Sequence, residues 1–249
     1  MFSNLPNAVR LILIGNILLF LVTQTYGPVM VEYLGLWFIE NPNFEYWQLI
    51  SHMFMHGGFA HILFNMYALV AFGGPLERMW GSEKFYFFYF SAGLGAALLH
   101  TAVNYYNFQS AVDAIVESGV NRFDLIQALT SSNGADYNVL GNEVPYHLVE
   151  KLYNSFAIPA VGASGAIYGI LVAFAFMYSE ARLMLLFFPV PIKAKYFVPI
   201  LLGSDLFFGF SSYSLGPIAH FAHLGGAVTG YAMMSYLPVA YTHQKNVNT

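Results

Sequence analysis

Six apolar segments of membrane-spanning length constrain this chain more than any other feature; they lie at roughly 9–27, 58–75, 84–104, 163–179, 195–213 and 219–238. A bilayer core of about 30 Å takes about 20 apolar residues per helix. The chain therefore reads as an all-α polytopic membrane protein, one membrane domain over residues 1–249 built as a six-transmembrane-helix bundle. Hydrophobic residues make up 57% of it and charged residues 9%, with a mean hydropathy of +0.56, where a soluble domain carries about a quarter charged residues. The lipid bilayer is its main solvent. The first segment follows only Arg10 and lacks a small-x-small cleavage signal, so it reads as a retained span rather than a cleaved leader.

With the amino terminus inside, Arg10, Arg78, Lys84, Arg182, Lys193, Lys195 and Lys245 fall on inner segments, and only Arg122 and Lys151 fall outside. The outer segments hold Glu32, Glu40, Glu45, Asp113 and Glu150. That bias puts both termini in the cytoplasm. The net charge is −4, there is no basic run to meet nucleic acid, and with no cysteine there is neither a disulfide nor a thiolate metal site.

Two outer regions are not simple spans. Residues 28–57 carry Trp37, Phe38, Phe44, Tyr46 and Trp47, as expected of a first loop lying in the interface. Residues 105–160 form a polar outer insertion. Ala111, Ile115, Val116, Phe123, Leu125, Ile126 and Leu129 predict one or two short amphipathic helices there, broken at Gly119, and another is expected around 144–156. No internal repeat is visible.

Within this apolar background a few polar residues stand at one depth. Ser164 opens the fourth segment from its outer end, flanked by Gly162 and Gly165. His61 lies near the outer end of the second and His223 near the outer end of the sixth. The second and fourth segments are short, which is tolerable if their polar ends face a water-filled cavity. Gly165-x-x-x-Gly169 and Gly226-x-x-x-Gly230 are small-xxx-small faces that let helices approach closely. If these faces pack, Ser164 and His223 come within hydrogen-bond reach. Tyr168, four residues after Ser164, shares its face and can stack on the imidazole. His61 and Asn65, one turn apart, can aim donors at a developing oxyanion, and the Ser164 backbone N–H, unpaired at a helix start, is a third donor.

Each residue also has a structural reading. The glycines can serve packing alone, and Asn65 a helix–helix hydrogen bond. His220 stands one turn before His223 and is an alternative base; the spacing to the second glycine face favours His223. His52 and His56 have metal-like spacing but lack the glutamate of H-E-x-x-H. They read as interfacial or structural, with His56 a donor that fixes the loops around the site. Asp205, the acidic residue well inside a span, reads as a protonated or hydrogen-bonded structural group, with orientation of the histidine as the alternative. Glu77 and Arg78 read as an inner turn.

Over roughly residues 5–240 the chain resembles the rhomboid intramembrane serine proteases. The resemblance rests on G-x-S-G at Gly162–Gly165, H-x-x-x-N at His61–Asn65, A-H-x-G-G-x-x-x-G at Ala222–Gly230, and the order of the spans. It implies a Ser164–His223 dyad without an acid, an oxyanion hole from His61, Asn65 and Ser164, and Tyr168 against the imidazole. It also implies a fifth helix near the gate, no cofactor or metal, and single-span membrane-protein substrates cut near their outer end. Two departures stand out. Gln48 follows Trp47 where the family often has arginine, a matter of loop stability, and the 105–160 insertion is longer than in the simplest members. Two other readings compete. Inert rhomboid-like proteins that bind membrane clients generally lack the serine or the histidine, and both are present here. A transporter is disfavoured because the halves show no inverted repeat.

Overall fold

The computed structural model describes residues 4–130, 144–185, 188–211 and 219–236. Residues 131–143 of the predicted insertion, Lys245 and the last two positions of the sixth predicted segment lie outside the described residues. The elements run α1 (Asn7–Leu34), α2 (Gln48–Ser51), α3 (Phe59–Ala68), α4 (Gly74–Trp80), α5 (Ser82–Glu117), α6 (Arg122–Leu129), α7 (Tyr146–Phe156), α8 (Ser164–Met177), β1 (Arg182–Leu185), β2 (Phe188–Lys193), α9 (Ala194–Phe210) and α10 (His220–Tyr236). The result is a multi-helix bundle of a membrane-embedded protein. Among the described residues, three helices are long and apolar enough to cross a membrane: Asn7–Leu34, Phe59–Trp80 and Ser82–Glu117. The helix at Ser164–Met177 is apolar but only 14 residues long, and α9 and α10 have 17 residues each.

Local chemistry explains the departures from uniform helix. In α1 the backbone leaves helical geometry at Tyr26, two residues before Pro28. A proline inside a helix lacks the N–H and crowds the carbonyl four residues back, so the kink separates the long apolar part from the end that enters the first loop. Between α3 and α4 one π-helical turn covers Leu69–Gly73; this wide turn makes room for Pro75 at the start of α4. The helix then continues through Glu77 and Arg78, which corrects the expectation of a turn there. Glu77 is buried, and its carboxylate accepts hydrogen bonds from the N–H groups of Ala8 (2.7 Å) and Val9 (2.8 Å) and from the Ser82 hydroxyl (2.7 Å). It thereby satisfies orphan donors at the start of α1, which has no side-chain cap of its own.

The third predicted segment is far longer than its apolar stretch. Helix α5 runs on into the predicted insertion, and its C-terminal end builds a small core with α6 and α7 from Phe108, Ala111, Val112, Ile115, Leu125, Leu129, Leu152 and Phe156. The break falls at Gly119, whose φ of +103° suits glycine, and Asn121 caps α6 through the Phe123 N–H at 2.8 Å. Phe38 of the first loop joins the same core. That loop is held by Gln48, whose side chain accepts from the Trp37 N–H (3.3 Å) and donates to the Asn43 carbonyl (2.8 Å). Between α8 and α9 lies a β-hairpin that the sequence did not suggest, with Arg182 opposite Lys193 and Leu183 opposite Ile192. Beside it Glu180 pairs with Lys193 at 2.8 Å and with Lys195; these cations hold its carboxyl down to about 2.

Helix α8 occupies the middle of the bundle. Residues from Gly165 to Phe174 are buried on nearly every side, as expected of a helix that is hydrophobic all round. It packs against α5, α9 and α10.

Candidate active site

Glycine and alanine bring α5, α8 and α10 to backbone contact. A Cβ at Gly226 would overlap the Gly165 carbonyl oxygen, and one at Gly230 would lie 2.7 Å from the Gly169 Cα. On the other side of α8, Cβ atoms at Gly165 and Gly169 would run into Ala96 and Ala92 of α5. The two glycine faces read from the sequence therefore meet each other, and α5 is the third partner that the sequence reading did not name. Its signal was present as Ala92-Gly93-Leu94-Gly95-Ala96-Ala97; Gly95 faces Thr229, and Gly225 lies against the Gly95 carbonyl.

This packing sets Ser164 opposite His223. Ser164 Oγ lies 2.8 Å from Nε2 of His223. Tyr168 stacks flat on the imidazole, with ring centroids 4.1 Å apart and planes 11° from parallel. On its far side, Nδ1 of His223 lies 3.1 Å from Oδ1 of Asp205, and Nδ1 of His220 lies 2.6 Å from the same oxygen. Both histidines thus reach Asp205, but the contact to Ser164 is made by His223. No spacing rule could have brought Asp205 to His223, because they stand on different helices, α9 and α10, whose relative register is set by packing.

The other predicted residues converge on the start of α8. Gly162 has a φ of +131°, a region that favours glycine. A Cβ there would lie 2.8 Å from His61 Nε2 and 3.6 Å from Ser164 Oγ, so these two groups face one corner. The Gly162 N–H donates to the His52 carbonyl at 2.9 Å, and Nδ1–H of His52 donates to the Gln48 carbonyl at 2.8 Å. The first loop thereby clamps the turn that carries the serine. A second clamp pairs Leu36 with Ala160 through two backbone hydrogen bonds of 2.9 and 2.8 Å.

His61 accepts a long hydrogen bond of 3.4 Å at Nδ1 from the Gly57 N–H, which leaves the ring proton on Nε2, facing the Gly162–Ser164 corner. Asn65 is buried, and its Nδ2 donates to the His61 carbonyl at 2.8 Å, so one amide hydrogen remains for another acceptor. His56 sits edge-on to His61 at 5.0 Å. Burial, helped by the neighbouring His61, pushes the His56 imidazole down to about 3. Burial pushes His52 down to about 4. Both are neutral at neutral pH.

Ligand atoms of Asp205, His220 and His223 lie within 4.8 Å of one another, the geometry of a possible cation site. Two of these contacts are hydrogen bonds at 2.6 and 3.1 Å, and they occupy the lone pairs that a cation would need.

The fold and these contacts define the class: an integral membrane helical bundle that holds a serine and a histidine hydrogen-bonded in its interior. The chain belongs to the rhomboid family, whose domain model, described as Rhomboid domain, matches residues 43–121 and 122–239. It is 28% identical over 134 residues to the rhomboid protease GluP of Bacillus subtilis, covering 52% of this chain and 25% of that one. To Rhomboid protein 1, mitochondrial, of Saccharomyces cerevisiae it is 24% identical over 197 residues, covering 79% and 43%. To the rhomboid protease GlpG of Haemophilus influenzae it is 42% identical over 50 residues, covering 20% and 26%. The matched region is less than half of each relative's length.

Proposed function

We propose that this chain is an intramembrane serine endopeptidase that cleaves single-span membrane proteins near the outer end of their transmembrane helix. The observation that carries this reading is the 2.8 Å contact between Ser164 Oγ and His223 Nε2 under the Tyr168 ring. His223 takes the Ser164 proton as the oxygen attacks a substrate peptide carbonyl. His61 Nε2–H, the free amide hydrogen of Asn65 and the Ser164 N–H receive the charge that develops on the carbonyl oxygen. The C–N bond then breaks, His223 returns the proton to the leaving amine, and water, activated by the same histidine, hydrolyses the ester.

The proposal includes six crossings with both termini in the cytoplasm of a bacterial plasma membrane. Helix α8, at 14 residues, spans about 21 Å, short of the roughly 30 Å core. One end must stop within the membrane, and its polar end at Ser164 is the one water must reach. The positive-inside bias makes that the outer side. The outer core of α5, α6 and α7 then stands above the site as a cap over substrate access.

The test is cleavage of a model single-span substrate in liposomes. Activity lost in both Ser164→Ala and His223→Ala supports the proposal. Undiminished cleavage by Ser164→Ala would overturn it.

A further inference from the structure

We propose that Asp205 is a positioning residue for His223, and that His220 competes with His223 for the same carboxylate oxygen. This rests on the protease reading above and extends it, because a serine–histidine dyad leaves Nδ1 of the histidine without an assigned partner.

Asp205 Oδ1 has two neighbours that bear nitrogen, Nδ1 of His223 at 3.1 Å and Nδ1 of His220 at 2.6 Å. An ionised carboxylate oxygen only accepts, and its two lone pairs serve two donors. Both histidines must therefore carry a proton on Nδ1. For neutral His223 this leaves Nε2 with its lone pair toward the Ser164 hydroxyl, which is the tautomer that a general base requires. Asp205 thus dictates which nitrogen of His223 is basic, and its charge favours the imidazolium that forms when the serine proton is taken.

Burial makes the coupling count. The Asp205 side chain is 5% exposed, and those of His220 and His223 are 12% exposed, so water screens these contacts weakly. Helices α8, α9 and α10 contain a single carboxylate among them, Asp205. The other groups facing His223 are Ser164 and Tyr168 from α8, and His61 from α3 and His100 from α5, both within electrostatic reach. On α10 itself stands His220, edge-on to His223 at 6.5 Å. None of these supplies negative charge at neutral pH, so Asp205 is the anion of the site among the described residues. His220 is held in place by stacking on Phe208 of α9 at 6.0 Å, and its bond to Oδ1 is the shorter of the two. It withdraws part of the carboxylate's charge from His223.

The shared oxygen predicts opposite effects for its two partners. The full-length protein in liposomes is treated with a fluorophosphonate, and the rate of Ser164 labelling is followed across the titration range of histidine. Labelling needs neutral His223, so the midpoint of the acid limb reports its ionisation. Asp205→Asn is expected to slow labelling by roughly 10- to 1,000-fold, less than the roughly 10⁴-fold known where a carboxylate serves one histidine alone, and to move the midpoint to lower pH. His220→Phe removes the rival donor and is expected to move the midpoint to higher pH. A purely structural Asp205 moves neither. A folded Asp205→Asn or His220→Phe protein with the wild-type midpoint would overturn the proposal, and where Asp205→Asn does not fold, His220→Phe alone decides. If wild-type Ser164 does not react at all, the protease reading fails, and ¹⁵N NMR of His223 then decides the present one. A proton on Nδ1, redistributed in Asp205→Asn, supports it; a proton on Nε2 in the wild type overturns it.

Discussion

Gly226 rests on the backbone of Gly165, so that no side chain fits between α10 and α8 at the level of Ser164. The atom in the way is a carbonyl oxygen, which cannot rotate aside as the end of a flexible side chain can. Gly226→Ala must therefore push the two helices apart and lengthen the Ser164–His223 contact. A misplacement of about 1 Å costs reactions of this kind about a hundredfold, and overpacking of a tight core costs about 1–3 kcal/mol. The expected outcome is cleavage reduced about a hundredfold or more, with a measurable fall in thermal midpoint. Gly203→Ala in α9, where an added Cβ meets nothing within 4 Å, is the control and should behave as wild type in both assays.

Glu77 ties the start of α1 to the end of α4 through three hydrogen bonds to one carboxylate. Glu77→Gln keeps the shape but turns one acceptor into a donor facing an N–H or hydroxyl. Hydrogen bonds to charged groups are worth about 1.5–3 kcal/mol, so a loss of about 2–3 kcal/mol is expected. Thermal unfolding in detergent checks it. The residue touches nothing near Ser164, so specific activity at low temperature should be preserved; a loss of activity without loss of stability would contradict this account.

What could be read from the sequence was whatever lies along one helix. Ser164 and Tyr168, His61 and Asn65, and the two glycine faces are each separated by three or four residues, and helical periodicity places such pairs on a face without tertiary information. The break at Gly119 is equally local. Contacts between helices were not legible in the same way. Asp205 was visible as a buried charge, but its register against α10 is set by packing. Glu77 looks in sequence like any charge at the end of a span, and only the fold brings the amino end of α1 to it. The length of α5 was missed for a related reason: its last third is polar enough to read as a loop, yet it buries Phe108, Ala111 and Ile115 against α6 and α7.

Gly162 combines a φ of +131° with the absence of a side chain beside His61 Nε2. In Gly162→Ala the methyl group would enter the corner between His61 and Ser164, and the backbone would resist its own conformation. Losing one oxyanion donor costs about 2.7–4 kcal/mol of barrier. Turnover is therefore expected to fall about a hundredfold or more. Because the methyl would crowd His61 Nε2 at 2.8 Å but meet Ser164 Oγ only at an ordinary contact distance of 3.6 Å, the loss should appear in kcat more than in KM. Steady-state kinetics on the liposome substrate separate the two, and a rise in KM alone would argue that this corner binds substrate rather than the oxyanion.

Acid should destabilise the fold that holds the clamp around Ser164. His52 is held neutral by burial, down to about 4 from an ordinary 6.5, and His56 down to about 3. Between pH 6.5 and these values the unfolded chain takes up protons that the folded chain refuses, so stability falls as pH drops through the window and is level above it. For His52 the fall is on the order of 3 kcal/mol by pH 4. The His52 carbonyl receives the Gly162 N–H at 2.9 Å, and because folded His52 stays neutral until about pH 4, the clamp on the serine turn should hold through this window, with activity lost through it only as the protein begins to unfold. His52→Gln, which keeps a donor toward the Gln48 carbonyl, should flatten the stability profile by the His52 share while leaving neutral-pH activity within severalfold of wild type. Chemical unfolding measured from neutral pH down to pH 4 reads the slope directly, and a profile that is level in the wild type would mean that these histidines are not held neutral by the fold.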